Sequence, residues 1–147
     1  NFLYDQKNNK IILLDFGASQ KISIEVRNKF KNLLIGTWNN NHTKIKTSLL
    51  DLGIVHDTFP KQIEAIFLDL FYEVTYPIRE KKVYNFNQAD LITKIKSNFQ
   101  EFLKFQNKLQ IPSSDILFIQ RKIGGLFLLG KLLKVEIDLN KILKKYI

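Results

Sequence analysis

The chain of 147 residues predicts a mainly α-helical domain, opened by a short β-hairpin and continued by about six helices. Three observations carry that expectation. At the start, the apolar runs Phe2-Leu3-Tyr4 and Ile11-Ile12-Leu13-Leu14 flank Gln6-Lys7-Asn8-Asn9, a polar stretch of turn formers. Beyond residue 22, apolar residues recur three and four apart rather than two apart. Hydrophobic residues make up 45% and aromatics 12%, enough to bury a core and too much for a disordered chain. The chain reads as one unit, with a hairpin over 1–17 and a helical part over 22–147.

Residues 2–5 and 10–16 are the expected strands. Ser23 suits an N-cap, and Glu25 stands in the first turn, where the helix dipole favours a carboxylate. Ile24, Phe30, Leu33, Leu34 and Trp38 then predict a helix over 24–38, ended by Asn39-Asn40-Asn41. A helix from about residue 43 to 52 follows, with Gly53 suited to its C′ position. Thr58 is expected to cap the next helix, with Pro60 in its first turn and an apolar stripe from Ile63 to Val74, up to Pro77. Residues 77–87 read as irregular, anchored by Tyr84 and Phe86.

Asn87 and Asp90 resemble a capping pair for a helix over about 88–109, which Ile111-Pro112 ends. Ser113 or Ser114 opens a helix to about residue 133 that is apolar on most faces, so it is expected at the centre of the core. Gly124-Gly125 inside it suggests the close approach of another backbone. Asp138 caps a final helix over 139–146.

Composition narrows the chemistry. With no cysteine there is no disulfide, thiolate nucleophile or cysteine-zinc site, and a reducing, intracellular compartment is expected. No methionine is present and the first residue is Asn, which reads as an internal or C-terminal slice of a longer protein, packed in its parent against the preceding part of the chain. The most apolar run, Ile123 to Leu133, is too short to span a bilayer and contains Lys131. The net charge of +9 favours phosphates or anionic lipid, or belongs to lysines spread over solvated helix faces. No pattern of arginines interleaved with aromatics points to nucleic acid. His42 and His56 have no partner at metal-ligand spacing and read as surface residues. No serine elbow or glycine-rich phosphate loop appears.

The candidate site is Leu14-Asp15-Phe16-Gly17. A carboxylate at a strand end is an oxygen ligand of the kind Mg²⁺ prefers. Phe16 can pack beneath it, and Gly17 allows a sharp turn. Asn1, at the matching end of the hairpin, could add a neutral amide oxygen. The plainer reading of Asp15 is a strand-end Asp that caps the following turn. Arg121-Lys122 could contact phosphate or lipid, or simply lie on a helix surface with its aliphatic stems packed down.

Asn1-Phe2-Leu3-Tyr4-Asp5, Leu13-Leu14-Asp15-Phe16-Gly17-Ala18 and Phe118-Ile119-Gln120-Arg121-Lys122-Ile123-Gly124-Gly125 together resemble the C-terminal part of the UbiB/ADCK (ABC1-type) family of atypical kinase-like proteins. Leu52-Gly53-Ile54 and Tyr84-Asn85-Phe86 resemble further segments of that family, so the likeness runs through essentially the whole chain. It implies the C-terminal lobe portion of a protein-kinase-like fold, with Asp15 and Asn1 as Mg²⁺ ligands and Asp15 and Gly17 at the ATP phosphates. The family's catalytic-loop Asp and nucleotide-clamping Lys would precede residue 1, so this stretch alone is expected to be inactive.

Known members are associated with ubiquinone and other isoprenoid-lipid metabolism, with ATP hydrolysis better supported than protein phosphorylation. The implied partners are Mg²⁺-ATP, anionic lipid and isoprenoid-lipid biosynthesis proteins. The implied location is cytoplasmic or membrane-peripheral, and mitochondrial in a eukaryote. Ser19-Gln20 and Val55-His56-Asp57-Thr58 depart from the family's usual residues. Two alternatives stand beside an active enzyme: a pseudokinase scaffold, and a basic helical module on anionic membranes.

Overall fold

The computed structural model describes residues 2–15, 17, 19–80, 82–87 and 112–147. In chain order it contains β1 (Phe2–Asp5), β2 (Lys10–Leu13), α1 (Ile24–Trp38), α2 (His42–Asp51), α3 (Lys61–Arg79), β3 (Tyr84–Asn85), α4 (Ser114–Leu132), β4 (Glu136–Ile137) and α5 (Leu139–Leu143). The expected helix over 88–109, and with it Asp90 of the expected capping pair, lies outside the described residues.

The first strands form the expected antiparallel hairpin, with Phe2 opposite Leu13 and Asp5 opposite Lys10. Its turn is held by side chains. Asn8 donates through its backbone and its amide to Asp5, Tyr4 donates its hydroxyl to Asn9 Oδ1, and Asn9 adopts the left-handed conformation that asparagine tolerates. β2 ends at Leu13, sooner than the apolar run suggested.

The helices form because their ends are satisfied locally and their apolar faces meet. Ser23 accepts from the Val26 amide at 3.2 Å and caps α1, as expected. The three asparagines after α1 divide the work of a tight helix-to-helix turn. Asn39 is the C-cap, Asn40 takes φ 50°, and Asn41 donates to Gly36 O at 2.9 Å while its side chain caps α2. Gly36 sits close enough to α2 that a Cβ would stand 3.3 Å from the Ile45 nitrogen, and this lets the two helices pack closely. Gly53, at φ +65°, closes α2 in the same way, with Ile54 N donating to Leu49 O.

Leu33, Ile45, Leu49, Leu52, Val55, Phe59, Ile63 and Ile116 form the core, to which α1, α2, α3 and the start of α4 each contribute. Such residues stabilise by roughly 1.5–3 kcal/mol each when fully buried.

Four expectations are corrected. Thr58 does not cap α3; Pro60 precedes its first residue. α3 also runs through Pro77 to Arg79. Proline costs the backbone one hydrogen bond there, while Thr75 Oγ1 and Arg79 Nη2 donate to Phe71 O and Tyr72 O in the adjoining turns. Residues 84–85 are a strand rather than irregular, paired with Glu136–Ile137 across a long stretch of chain. The final helix is shorter than expected, Leu139–Leu143, although Asp138 does cap it through the Lys141 amide at 3.1 Å.

α4 departs further from expectation. It is not central. Only Ile116 and Gly130 are buried along it, whereas Leu126, Leu128 and Leu132 are 62%, 59% and 77% exposed. Among the described residues, Phe86 packs on its Gly130 and stacks edge-on against its Phe127 at 5.2 Å. Among the described residues nothing lies within 4 Å of a Cβ built on Gly124 or Gly125, so the expected close backbone approach is not seen there. It occurs at Gly130, where a Cβ would meet Phe86 Cδ1 at 2.8 Å.

Candidate metal and nucleotide site

Asp15 lies two residues beyond the last hairpin pair, exposed at the strand end. Its Oδ1 accepts a hydrogen bond of 2.7 Å from the Gly17 amide. This is an Asx-turn, which fixes the carboxylate against the backbone. A Cβ at residue 17 would stand 3.1 Å from the same oxygen, so glycine leaves room for the carboxylate in that position. The structure thus brings Asp15 and Gly17 together, and the turn-capping reading of Asp15 is realised in its geometry. An Asx-turn is compatible with metal ligation, because a carboxylate carries about four lone-pair sites. Asn1 and Phe16 lie outside the described residues.

The donor set suits Mg²⁺ in one particular manner. Among the described residues no group of three or more His, Cys, Asp or Glu side chains converges as a metal cage. Mg²⁺ in nucleotide sites is held by one or two carboxylates, with water and phosphate oxygens completing its octahedron. An exposed, oriented carboxylate at a strand end fits that arrangement.

A second contact positions this end of the hairpin. Gln20, a few residues beyond Asp15, donates its side-chain amide to Asp115 Oδ1 in the first turn of α4. The two residues are 95 apart in sequence, and no local signal in the chain announces the pairing. The two histidines make local contacts. His42 Nδ1 is hydrogen-bonded to the Tyr72 hydroxyl, and the His56 ring lies 5.1 Å from that of Phe59. Between α2 and α3, His42, Lys46, Leu68, Asp69 and Tyr72 line an open groove of about 500 Å³, built of surface polar groups over aliphatic stems. Arg79 covers the other side of Tyr72, 5.0 Å from its ring centre.

Residues 1–49, which carry Asn1, Asp15, Gly17 and all of α1, match the ABC1 atypical kinase-like domain. The atypical kinase COQ8, mitochondrial, of Schizosaccharomyces pombe is 28% identical over 131 residues, 88% of this chain and 21% of that protein. The chain is similar to atypical kinase-like proteins of the UbiB/ADCK type. Other relatives align over still more of it. The probable serine/threonine-protein kinase abkA of Dictyostelium discoideum is 28% identical over 94% of this chain and 25% of its own length. The atypical kinase COQ8, mitochondrial, of Saccharomyces cerevisiae is 24% identical over 99% of this chain and 29% of its own. The chain therefore spans about a quarter of the length of these curated relatives.

Proposed function

We propose that this chain is the C-terminal, metal-presenting part of an ATP-dependent UbiB/ADCK enzyme, an ATPase or phosphotransferase acting in ubiquinone or other isoprenoid-lipid metabolism. The observation that carries the reading is the Asx-turn of Asp15 and Gly17 at the end of an exposed hairpin, inside the stretch that matches the kinase-like domain. Asp15 is the proposed Mg²⁺ ligand, and Asn1 is proposed to supply a second oxygen. When bound, Mg²⁺ neutralises phosphate charge and holds the reacting oxygens in line. Asp15 would hold the metal through its carboxylate, while Gly17 donates the amide that fixes that carboxylate and Gln20 ties the following segment to α4. The catalytic base and the nucleotide clamp are assigned to the part of the parent that precedes residue 1. A mitochondrial location is proposed from the names of the COQ8 relatives.

The test is Asp15→Asn in the full-length parent. Asparagine retains an oxygen for the Gly17 amide and removes the charge. Mg²⁺-dependent nucleotide affinity, read by calorimetry, should fall at least tenfold, and ATP hydrolysis by roughly 10²-fold or more. Unchanged Mg²⁺-ATP binding and turnover would remove Asp15 from the metal site.

A further inference from the structure

We propose that Asp115, in the first turn of α4, is a positioning residue for Asp15 and acts on it through the side chain of Gln20. The inference rests on the metal reading of Asp15 and adds a residue to that site. β2 ends at Leu13 and α1 begins at Ile24, so Asp15 stands on an irregular connection over residues 14–23. Every described residue of that connection is exposed except Ile22, which is half-buried. Burial does little to fix such a segment, so its position depends on directional polar contacts. Gly17 donates its amide to Asp15 at 2.7 Å, Gln20 donates its side-chain amide to Asp115, and Ser23 accepts from the Val26 amide. The first and last of these join residues two and three apart and shape the chain locally. Of the three, the bond to Asp115 alone crosses to a distant element.

Asp115 is a fixed point for that bond. Ile116, the next residue, is 1% exposed and belongs to the core. Leu117 donates to Ser113 O at 3.1 Å and closes the helical turn around Asp115. The first turn of a helix favours a carboxylate, and an amide donated to a carboxylate makes a stronger bond than one between neutral groups. The anchored carboxylate therefore holds Gln20, and Gln20 holds the connection on which Asp15 and Gly17 make their turn. Placement matters at such a site, because Mg²⁺ demands near-ideal octahedral geometry. A connection released from α4 spreads the Asp15 carboxylate over more positions and weakens the metal.

The experiment uses the full-length parent and two readouts. The first needs no metal: sub-second amide exchange of the peptide over residues 14–22, read by mass spectrometry. Gln20→Ala and Asp115→Ala should each speed that exchange several-fold, with the amides of α1 and α2 unchanged. The second is Mg²⁺ affinity in the presence of nucleotide, by calorimetry. Each substitution should lower it roughly fivefold, and the two together no further, because both remove the same bond. Nucleotide affinity without Mg²⁺ should stay as it is. Gln20→Glu with Asp115→Asn reverses donor and acceptor at unchanged net charge and should restore both readouts. Asp15→Asn separates this proposal from the reading beneath it. Unchanged Mg²⁺ affinity in Asp15→Asn would overturn the metal reading, and this proposal with it. A loss in Asp15→Asn but none in Gln20→Ala or Asp115→Ala would overturn the positioning role alone. So would exchange indifferent to both substitutions, or losses that simply add, since Asp115 would then act independently of Gln20.

Discussion

Asp5 closes the end of the hairpin remote from Asp15, and the two carboxylates show how context divides one residue type between tasks. Asp5 accepts from the Asn8 side chain at 2.7 Å and from its backbone amide at 3.1 Å, and these bonds hold its carboxyl below the ordinary aspartate value. Both donors favour the ionised form. A group whose folded pKa is lowered contributes stability that is present above its unfolded pKa and lost as pH falls through the folded value. The hairpin turn should accordingly loosen only in acid. Asn8→Ala should move the Asp5 titration midpoint, followed by NMR, back up towards the ordinary value, and an unmoved midpoint would exclude Asn8 as the cause. Asp15 accepts a backbone bond from Gly17, which closes a turn at the strand end. The motif of Asp15 and Gly17 was legible in the sequence because its parts are adjacent. The tie from Gln20 to Asp115 was not, because neither residue carries a pattern that names the other.

At the level of elements, legibility followed the range of the forces involved. α1 and α2 were readable because caps, asparagine turns and three-four spacing act within a few residues. The pairing of β3 with β4 was missed because two short strands distant in sequence stabilise each other only after the chain has folded. α4 was placed too deep because its composition records hydrophobicity, not where a neighbour lies. The same helix separates two kinds of glycine. Gly130→Ala would drive a Cβ into the Phe86 ring and should destabilise by about 1–3 kcal/mol. Gly124→Ala meets open space in a helix interior and should stabilise by about 0.5–1 kcal/mol. Chemical denaturation of the two variants distinguishes them, and equal effects would refute the packing assigned to Gly130.

Over the whole molecule, the predicted fold class stands: helices built around one core, preceded by a hairpin. The core joins residues from α1 to the start of α4, so its stability is shared across the chain. The hairpin differs from it. Phe2, Leu3, Tyr4, Ile11, Ile12, Leu13 and Leu14 are all between 45% and 70% exposed. A two-stranded hairpin of that kind is marginal in water without cover. This explains why sequence reasoning recognised the motif yet could not supply the rest of the site: local chemistry is written in adjacent residues, while the packing that completes a site depends on distant ones.

The bond from Gln20 to Asp115 has a consequence for the order of events during folding. α1 and α2 close a loop of three residues and form a local pair, the kind of contact that appears early. The anchorage of the Asp15 end waits for a contact spanning 95 residues, whose closure carries a larger entropic cost. In pulse-labelled refolding of the full-length parent, amide protection in α1 and α2 should precede recovery of the Mg²⁺ affinity proposed for Asp15. Gln20→Ala should delay that recovery while leaving the early protection unchanged.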